Sequence, residues 1–168
     1  MNNNILKNII RFAGLVFLQV LILNNINLLG YINPYLYVLF ILLYPFNSNH
    51  SLFLVLAFLL GFSIDLFEDS GGMHAAACLV TAFIRPNLLR FSFGISYDHQ
   101  NLRLSTTPFG ARLSYIFISI IIHHFILFFL EMFSFSHIII VLKKTFLSGI
   151  FSVILIILSL AVFSKKYR

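Results

Sequence analysis

The chain has 168 residues, of which 60% are hydrophobic and only 10% are charged. A mean hydropathy of +0.99 leaves too little polar surface for a soluble globule, so the composition predicts a single integral membrane domain. The net charge of +6 does not indicate nucleic-acid binding, because the cations flank apolar segments instead of forming one basic face. A single cysteine, Cys78, excludes an intrachain disulfide.

Apolar segments along the chain predict an all-α membrane protein with about six transmembrane helices. The first segment follows Lys7 and Arg11 and is interpreted as an uncleaved span, because it is longer than a signal-peptide core and no cleavage site follows it. In chain order, the predicted spans are 12–29, 35–46, 51–67, 73–89, 113–133 and 145–163.

The second segment, 35–46, is short and bracketed by Pro34 and Pro45, so a re-entrant path is the alternative to a crossing. If it crosses, eight lysines and arginines share one side and only Lys143 and Lys144 lie on the other. If it does not cross, the split is four against six. The positive-inside rule therefore favours six crossings with both termini in the cytoplasm.

The end of the third span is the most informative stretch. Gly61 and Asp65 are four residues apart and share one helix face, where a glycine lets a neighbouring backbone approach closely. An acid within a span is costly and marks a candidate for partner binding or specific helix packing. Gly71 and Gly72 follow, so a tight helical hairpin is predicted.

The fifth span carries two adjacent histidines, His123 and His124. Adjacent helical side chains diverge by about 100°, so the pair is not expected to share a metal, and one of them is expected to face the bundle. His124 and Glu131 are seven residues apart and predict a polar stripe that hydrogen-bonds another helix, in this chain or a partner; a proton relay is the alternative. Arg85, near the inner end of the fourth span, is expected to snorkel to the cytoplasmic interface; binding of a lipid headgroup or a partner carboxylate is the alternative.

Motifs for catalysis and metal binding are missing from the sequence. It contains no nucleophile elbow, P-loop, HExxH or paired-cysteine pattern, and its serines have no matching base and acid. We therefore expect no enzymatic activity, no cofactor and no metal site.

Several short motifs resemble the MreD family of rod-shape membrane proteins. The hairpin GFSIDLFEDSGG resembles the family's helix end and glycine turn, and residues 122–135, IHHFILFFLEMFSF, resemble the penultimate span of one subgroup. Asn33-Pro34-Tyr35 and Tyr44-Pro45-Phe46 resemble that subgroup's second segment. The resemblance rests on the order and spacing of these motifs and covers most of the chain.

The resemblance implies a non-enzymatic scaffold of the inner membrane that takes part in lateral peptidoglycan synthesis and the regulation of cell shape. The implied partners are MreC and, through it, MreB, RodA and the elongation transpeptidase, together with membrane lipid but no nucleic acid. The matching positions are the family positions Gly61, Asp65 and Gly72 and the subgroup positions His123, His124 and Glu131. We hypothesise that the Gly61/Asp65 face and the His124/Glu131 stripe make intramembrane contacts, one of them to MreC.

The MreD family is also thought to resemble, in fold, the substrate-binding subunits of energy-coupling-factor vitamin transporters. The alternative function is therefore such a subunit, which delivers a small ligand to an ATP-driven module. These subunits tend to dock through small residues spaced by four on the first helix. Here Ala13 and Gly14 are followed four residues later by Phe17 and Leu18, which counts against the alternative.

Overall fold

The computed structural model describes residues 3–26, 32–45, 48–94, 104 and 107–164. Within these ranges the chain is all-α, as predicted, with six α-helices and three short 3₁₀ helices. The α-helices are α1 Asn3–Leu21, α2 Leu39–Leu43, α3 His50–Glu68, α4 Met73–Phe93, α5 Phe109–Met132 and α6 Ile138–Ser164. The 3₁₀ helices are Leu23–Asn25, Leu36–Val38 and Phe135–His137.

Among the residues that the structure describes, four helical segments are long and apolar enough to cross a membrane: Leu6–Asn25, His50–Glu68, Phe109–Met132 and Phe135–Val162. Their length and composition indicate a multi-pass membrane protein. The remaining long helix, α4, has 21 residues but is less apolar, because it contains Arg85, Pro86 and Arg90.

Local sequence signals fix several helix ends. The Asn49 side chain accepts hydrogen bonds from the backbone N–H groups of Ser51 at 2.9 Å and Leu52 at 3.3 Å, which caps the start of α3. The predicted glycine turn follows α3, where Gly71 and Gly72 have φ angles of +64° and +94° that other residues rarely adopt. α3 and α4 therefore form the tight hairpin that the sequence predicts.

The last helix begins seven residues earlier than predicted, at Ile138 instead of 145. Lys143 and Lys144 therefore lie within α6. The helix tolerates Lys144 because its ammonium donates a hydrogen bond of 2.8 Å to the Glu131 carboxylate on α5. Lysine is also a good helix former, so the pair is no stop signal.

The second predicted span is not a regular helix. Of the described residues of this segment, 35–45, only Leu36–Val38 and the five residues of α2 are helical, which is too short to cross a membrane as a helix. The segment nevertheless runs the length of the bundle: Tyr35 packs against Phe128 near the end of α5, and the Leu42 carbonyl accepts from Tyr115 near its start. Residues 36–42 are buried among the other helices, where irregular backbone is tolerated in a membrane.

Polar side chains of the surrounding helices satisfy the backbone where this segment begins. Gln19 of α1 is completely buried; its amide nitrogen donates to the Pro34 carbonyl, and its oxygen accepts from the Leu36 N–H, both at 2.9 Å. The Tyr35 N–H donates to the Ser152 hydroxyl of α6 at 2.9 Å. These bonds stand in for the ladder that a regular helix would provide.

Arg85 of α4 serves the other end of the same segment, which corrects the expectation that it snorkels to the interface. The side chain is 5% exposed and donates to the carbonyls of Leu42, at 3.4 Å, and Tyr44. Its Nε donates to the Tyr115 hydroxyl at 3.0 Å, and its guanidinium lies 4.9 Å from the centre of the Phe53 ring. The last carbonyls of α2 have no intrahelical partner, so an internal arginine can satisfy them.

Charge separates the two ends of the bundle. We call one the acidic end, where α3 ends, α4 begins, α5 ends and α6 begins; its described acids are Asp65, Glu68, Asp69 and Glu131. The other is the basic end, where α1 begins and α6 ends; its described cations are Lys7, Arg11, Arg85, Arg90 and Arg112. The chain thus runs back and forth, with the segment 32–45 as its second, buried passage.

Candidate functional site

Gly61 is the point at which α3 and α4 touch through their backbones. A Cβ atom built on Gly61 would lie 2.5 Å from the Ala75 Cα and closer still to the His74 carbonyl oxygen. Only glycine fits this position without separating the helices. The face that the sequence marks as a packing seam therefore packs within the chain.

Asp65 caps the start of α4 from one turn further along α3. Its carboxylate accepts the backbone N–H groups of His74 at 3.0 Å and Ala75 at 2.8 Å, and it also accepts the Ser70 hydroxyl. A carboxylate at a helix N-terminus satisfies free N–H groups and interacts favourably with the helix dipole. Asp65 is 5% exposed, so its role in this chain is to join α3 to α4, and it does not face outward for a partner.

The two adjacent histidines of α5 are both completely buried, whereas the sequence suggested that only one would face the bundle. They diverge as expected. His124 lies within hydrogen-bonding distance of the Ser152 hydroxyl on α6, at 3.0 Å, and of the Ile120 carbonyl, at 2.9 Å. His123 lies 3.1 Å from the Tyr37 hydroxyl on the opposite side. Both fit inside because α5 has packed neighbours on two sides.

A chain of hydrogen bonds leads from the acidic end to His123. Its links join Glu68 to His74 Nε2 at 2.7 Å, His74 Nδ1 to the Tyr37 hydroxyl at 2.6 Å, and that hydroxyl to His123 Nε2. The Tyr37 hydroxyl thus joins the two imidazoles, and Glu68 anchors the chain at the acidic end. His123 Nδ1 has no hydrogen-bond partner among the described residues.

Glu131 and His124 do form a polar stripe, and its partner is α6 of the same chain. His124 lies 3.0 Å from the Ser152 hydroxyl. Glu131, closer to the end of α5, accepts a hydrogen bond of 2.8 Å from Lys144. The Lys144 ammonium also lies 5.4 Å from the centre of the Phe128 ring. The polar stripe thus joins α5 to α6 of the same chain.

A cavity of ≈ 540 Å³ lies at the acidic end. Its wall brings together aromatic rings and charged groups from four parts of the chain: Tyr35, Glu68, Asp69, Phe128, Glu131 and Lys144. His74 also lines it, so the cavity meets the hydrogen-bonded chain to Tyr37 and His123. The sequence marked Glu131 but not Tyr35 or Tyr37; their hydroxyls within a predicted span were the signal that such a site existed.

The metal chemistry of the site is limited. Cys78 Sγ lies 3.9 Å from His123 Nε2, but among the residues that the structure describes no group of three or more histidines, cysteines, aspartates or glutamates could hold a metal ion. Comparison with protein-family models, curated proteins and solved structures finds no match to the chain. Its function must therefore be argued from its own residues.

Proposed function

We propose that the chain is a non-enzymatic scaffold of the MreD kind, which acts in the inner membrane within the complex that elongates the lateral cell wall and so helps to regulate cell shape. The observation that carries this proposal is the α3–α4 hairpin. Gly61 admits the α4 backbone, Asp65 caps α4, and Gly72 takes the left-handed conformation before it. The three positions that match the family motif therefore act in one interlocked contact, which supports a shared fold.

The use of polar groups also supports a scaffold. His124 and Glu131 attach α5 to α6, while Gln19, Arg85 and Ser152 hold the irregular second passage. Buried polar groups that are hydrogen-bonded within the bundle make it specific and rigid. A rigid bundle is what a platform for partner proteins requires.

In this proposal the chain crosses the membrane six times, with the segment 32–45 as a crossing that other helices shield from lipid. The basic end faces the cytoplasm and the acidic end faces outward, in accordance with the positive-inside rule. Large apolar side chains such as Leu66, Phe83 and Val162 are more than half exposed and would meet lipid or partner helices.

The proposed partners are MreC and, through it, MreB, RodA and the elongation transpeptidase. Because Gly61, Asp65 and His124 are engaged inside the bundle and Glu131 pairs with Lys144 of the same chain, we propose that MreC meets the outer helix surfaces. Leu66 and Phe67 lie beside the hairpin turn at 68% and 62% exposure, which makes that edge the first candidate.

Depletion in the native cell tests the scaffold, combined with recovery of a tagged copy in mild detergent. The proposal predicts rounded cells and co-purification of MreC with the wall synthases. A matched pair of variants sharpens the test: Leu66→Ser should reduce recovery of MreC, whereas Phe17→Ser, an equally exposed change on α1, should not. Normal cell shape after depletion would contradict the proposal.

The second candidate is the substrate-binding subunit of an energy-coupling-factor vitamin transporter. The cavity at the acidic end favours it, because its ≈ 540 Å³ lies within the range of small-molecule sites. Recovery of an ATPase module and a bound vitamin with the tagged protein, together with normal cell shape, would establish this candidate in place of the scaffold.

A further inference from the structure

We propose that the acidic-end cavity is a binding site for a primary ammonium group, carried either by the headgroup of an aminolipid or by a small free amine. Four observations on the cavity wall point to this class of ligand: its charge, the setting of Lys144, a free acceptor on Asn33, and its size. The inference does not depend on the scaffold function.

The cavity carries more negative than positive charge. Glu68, Asp69 and Glu131 line it, while Lys144 is the only lysine or arginine in its lining among the described residues. Lys144 compensates one carboxylate, which leaves two carboxylates in excess of the lysines and arginines in the lining. A cavity with this excess attracts a cation and disfavours an anion.

Lys144 shows how the cavity holds an ammonium group. Its Nζ is 2.8 Å from the Glu131 carboxylate and 5.4 Å from the centre of the Phe128 ring. A carboxylate on one side and an aromatic face on the other is a common setting for ammonium recognition. The Lys144 ammonium thus occupies one such setting within the cavity lining.

The rest of the cavity lining offers similar groups. Tyr35 supplies an aromatic ring, and Glu68 and Asp69 supply carboxylates. Asn33 also lines the cavity, and its side-chain oxygen is buried with no hydrogen-bond partner among the described residues. A buried acceptor without a donor is costly, so this oxygen calls for an N–H or O–H group from a ligand.

A primary ammonium supplies the N–H donor that the Asn33 oxygen lacks. It has three N–H donors, which can meet the Asn33 oxygen and a carboxylate together. A quaternary ammonium has the same charge but no N–H group, so it would satisfy the charge and leave Asn33 without a donor. The volume of ≈ 540 Å³ accommodates a headgroup or a small amine.

Titration of the purified full-length protein in detergent tests the proposal. The probes are ethanolamine, short-chain phosphatidylethanolamine, and short-chain phosphatidylcholine as the quaternary control. At least one primary amine should bind, and phosphatidylcholine should bind about tenfold more weakly than phosphatidylethanolamine or not at all. A tenfold preference for phosphatidylethanolamine over ethanolamine identifies a lipid headgroup as the source, and equal affinities identify the free amine.

Two variants keep the test independent of folding. Glu68→Gln and Asp69→Asn should each weaken amine binding by about tenfold, and the exposed position of Asp69 makes its variant safe for folding. Lys7→Gln, a change of charge at the exposed basic end, should bind as the unmodified protein does. Absence of binding by both amines, equal binding of phosphatidylcholine, or unchanged binding in both cavity variants would overturn the proposal. A failure here would leave the cell-shape result untouched.

Discussion

Arg85 at the basic end and the cavity carboxylates at the acidic end are used in opposite ways. At the basic end, Arg85 is buried and donates to the carbonyls of Leu42 and Tyr44 and to the Tyr115 hydroxyl. At the acidic end, Glu68, Asp69 and Glu131 surround a cavity. A charged group that is hydrogen-bonded to buried backbone stabilises the fold, whereas a charged group that lines a cavity is available to a ligand. The cost of removing each charge should therefore differ.

The largest effect is expected for Arg85, at the basic end. Arg85→Gln removes the donors to two buried carbonyls, so it should lower the free energy of unfolding by about 3 kcal/mol. Lys7→Gln, an exposed change at the same end of the bundle, should cost less than about 0.5 kcal/mol. Unfolding in mixed detergent micelles measures both variants. Equal stability of the two would remove the structural role of Arg85.

The next effect tests whether the hairpin beneath the cavity is rigid. Gly61→Ala places a methyl group against the α4 backbone and should destabilise the protein by about 1–3 kcal/mol. Gly14→Ala, on α1, has nothing within 4 Å of its added methyl and should be neutral or stabilise by up to about 1 kcal/mol. The same unfolding measurement compares them, and a tolerated Gly61→Ala would show that α3 and α4 can separate.

A smaller effect is expected where the acidic end continues into the core. Tyr37→Phe removes the hydroxyl between His74 and His123, and should cost about 1–2 kcal/mol because two buried imidazoles lose a partner. Tyr44→Phe is the control, since its ring stacks on Phe53 at 4.8 Å and remains in place. Comparable unfolding free energies for the two variants would mean that the hydrogen-bonded chain does not support the core.

The smallest effect is expected for Glu131, in the cavity lining at the acidic end. The Glu131 side chain is 40% exposed, so Glu131→Gln should change the free energy of unfolding by no more than about 1 kcal/mol despite the loss of the Lys144 ion pair. The unfolding midpoint checks this directly. A loss as large as that of Arg85→Gln would erase the distinction between the two ends.

Sequence reasoning found the hairpin because its signals are local. Gly61, Asp65 and Gly72 lie within twelve residues of one another, and their helix-face and turn chemistry can be read directly. The contacts of Arg85 could not be found in this way, because its two carbonyl acceptors are more than forty residues away in the chain. No local pattern reports which carbonyls a short buried helix leaves free.

The histidines show a second limit. α5 is apolar on all sides, so its hydrophobic pattern does not distinguish a face turned to lipid from a face turned to another helix. His123 and His124 are both buried because α4 and α6 pack on either side of α5, which only the tertiary structure reveals. The same reason hid Tyr35 and Tyr37, whose segment looked like a short helix.

Labelling of single cysteines in intact spheroplasts tests the central claim most directly, because the proposed scaffold topology requires the acidic end to face outward. In a Cys78→Ala background, Asp69→Cys marks the acidic end and Lys7→Cys the basic end, and both positions are exposed. An impermeant thiol reagent should label Asp69→Cys in intact spheroplasts and Lys7→Cys only after lysis. The reverse pattern, or labelling of both before lysis, would contradict the account.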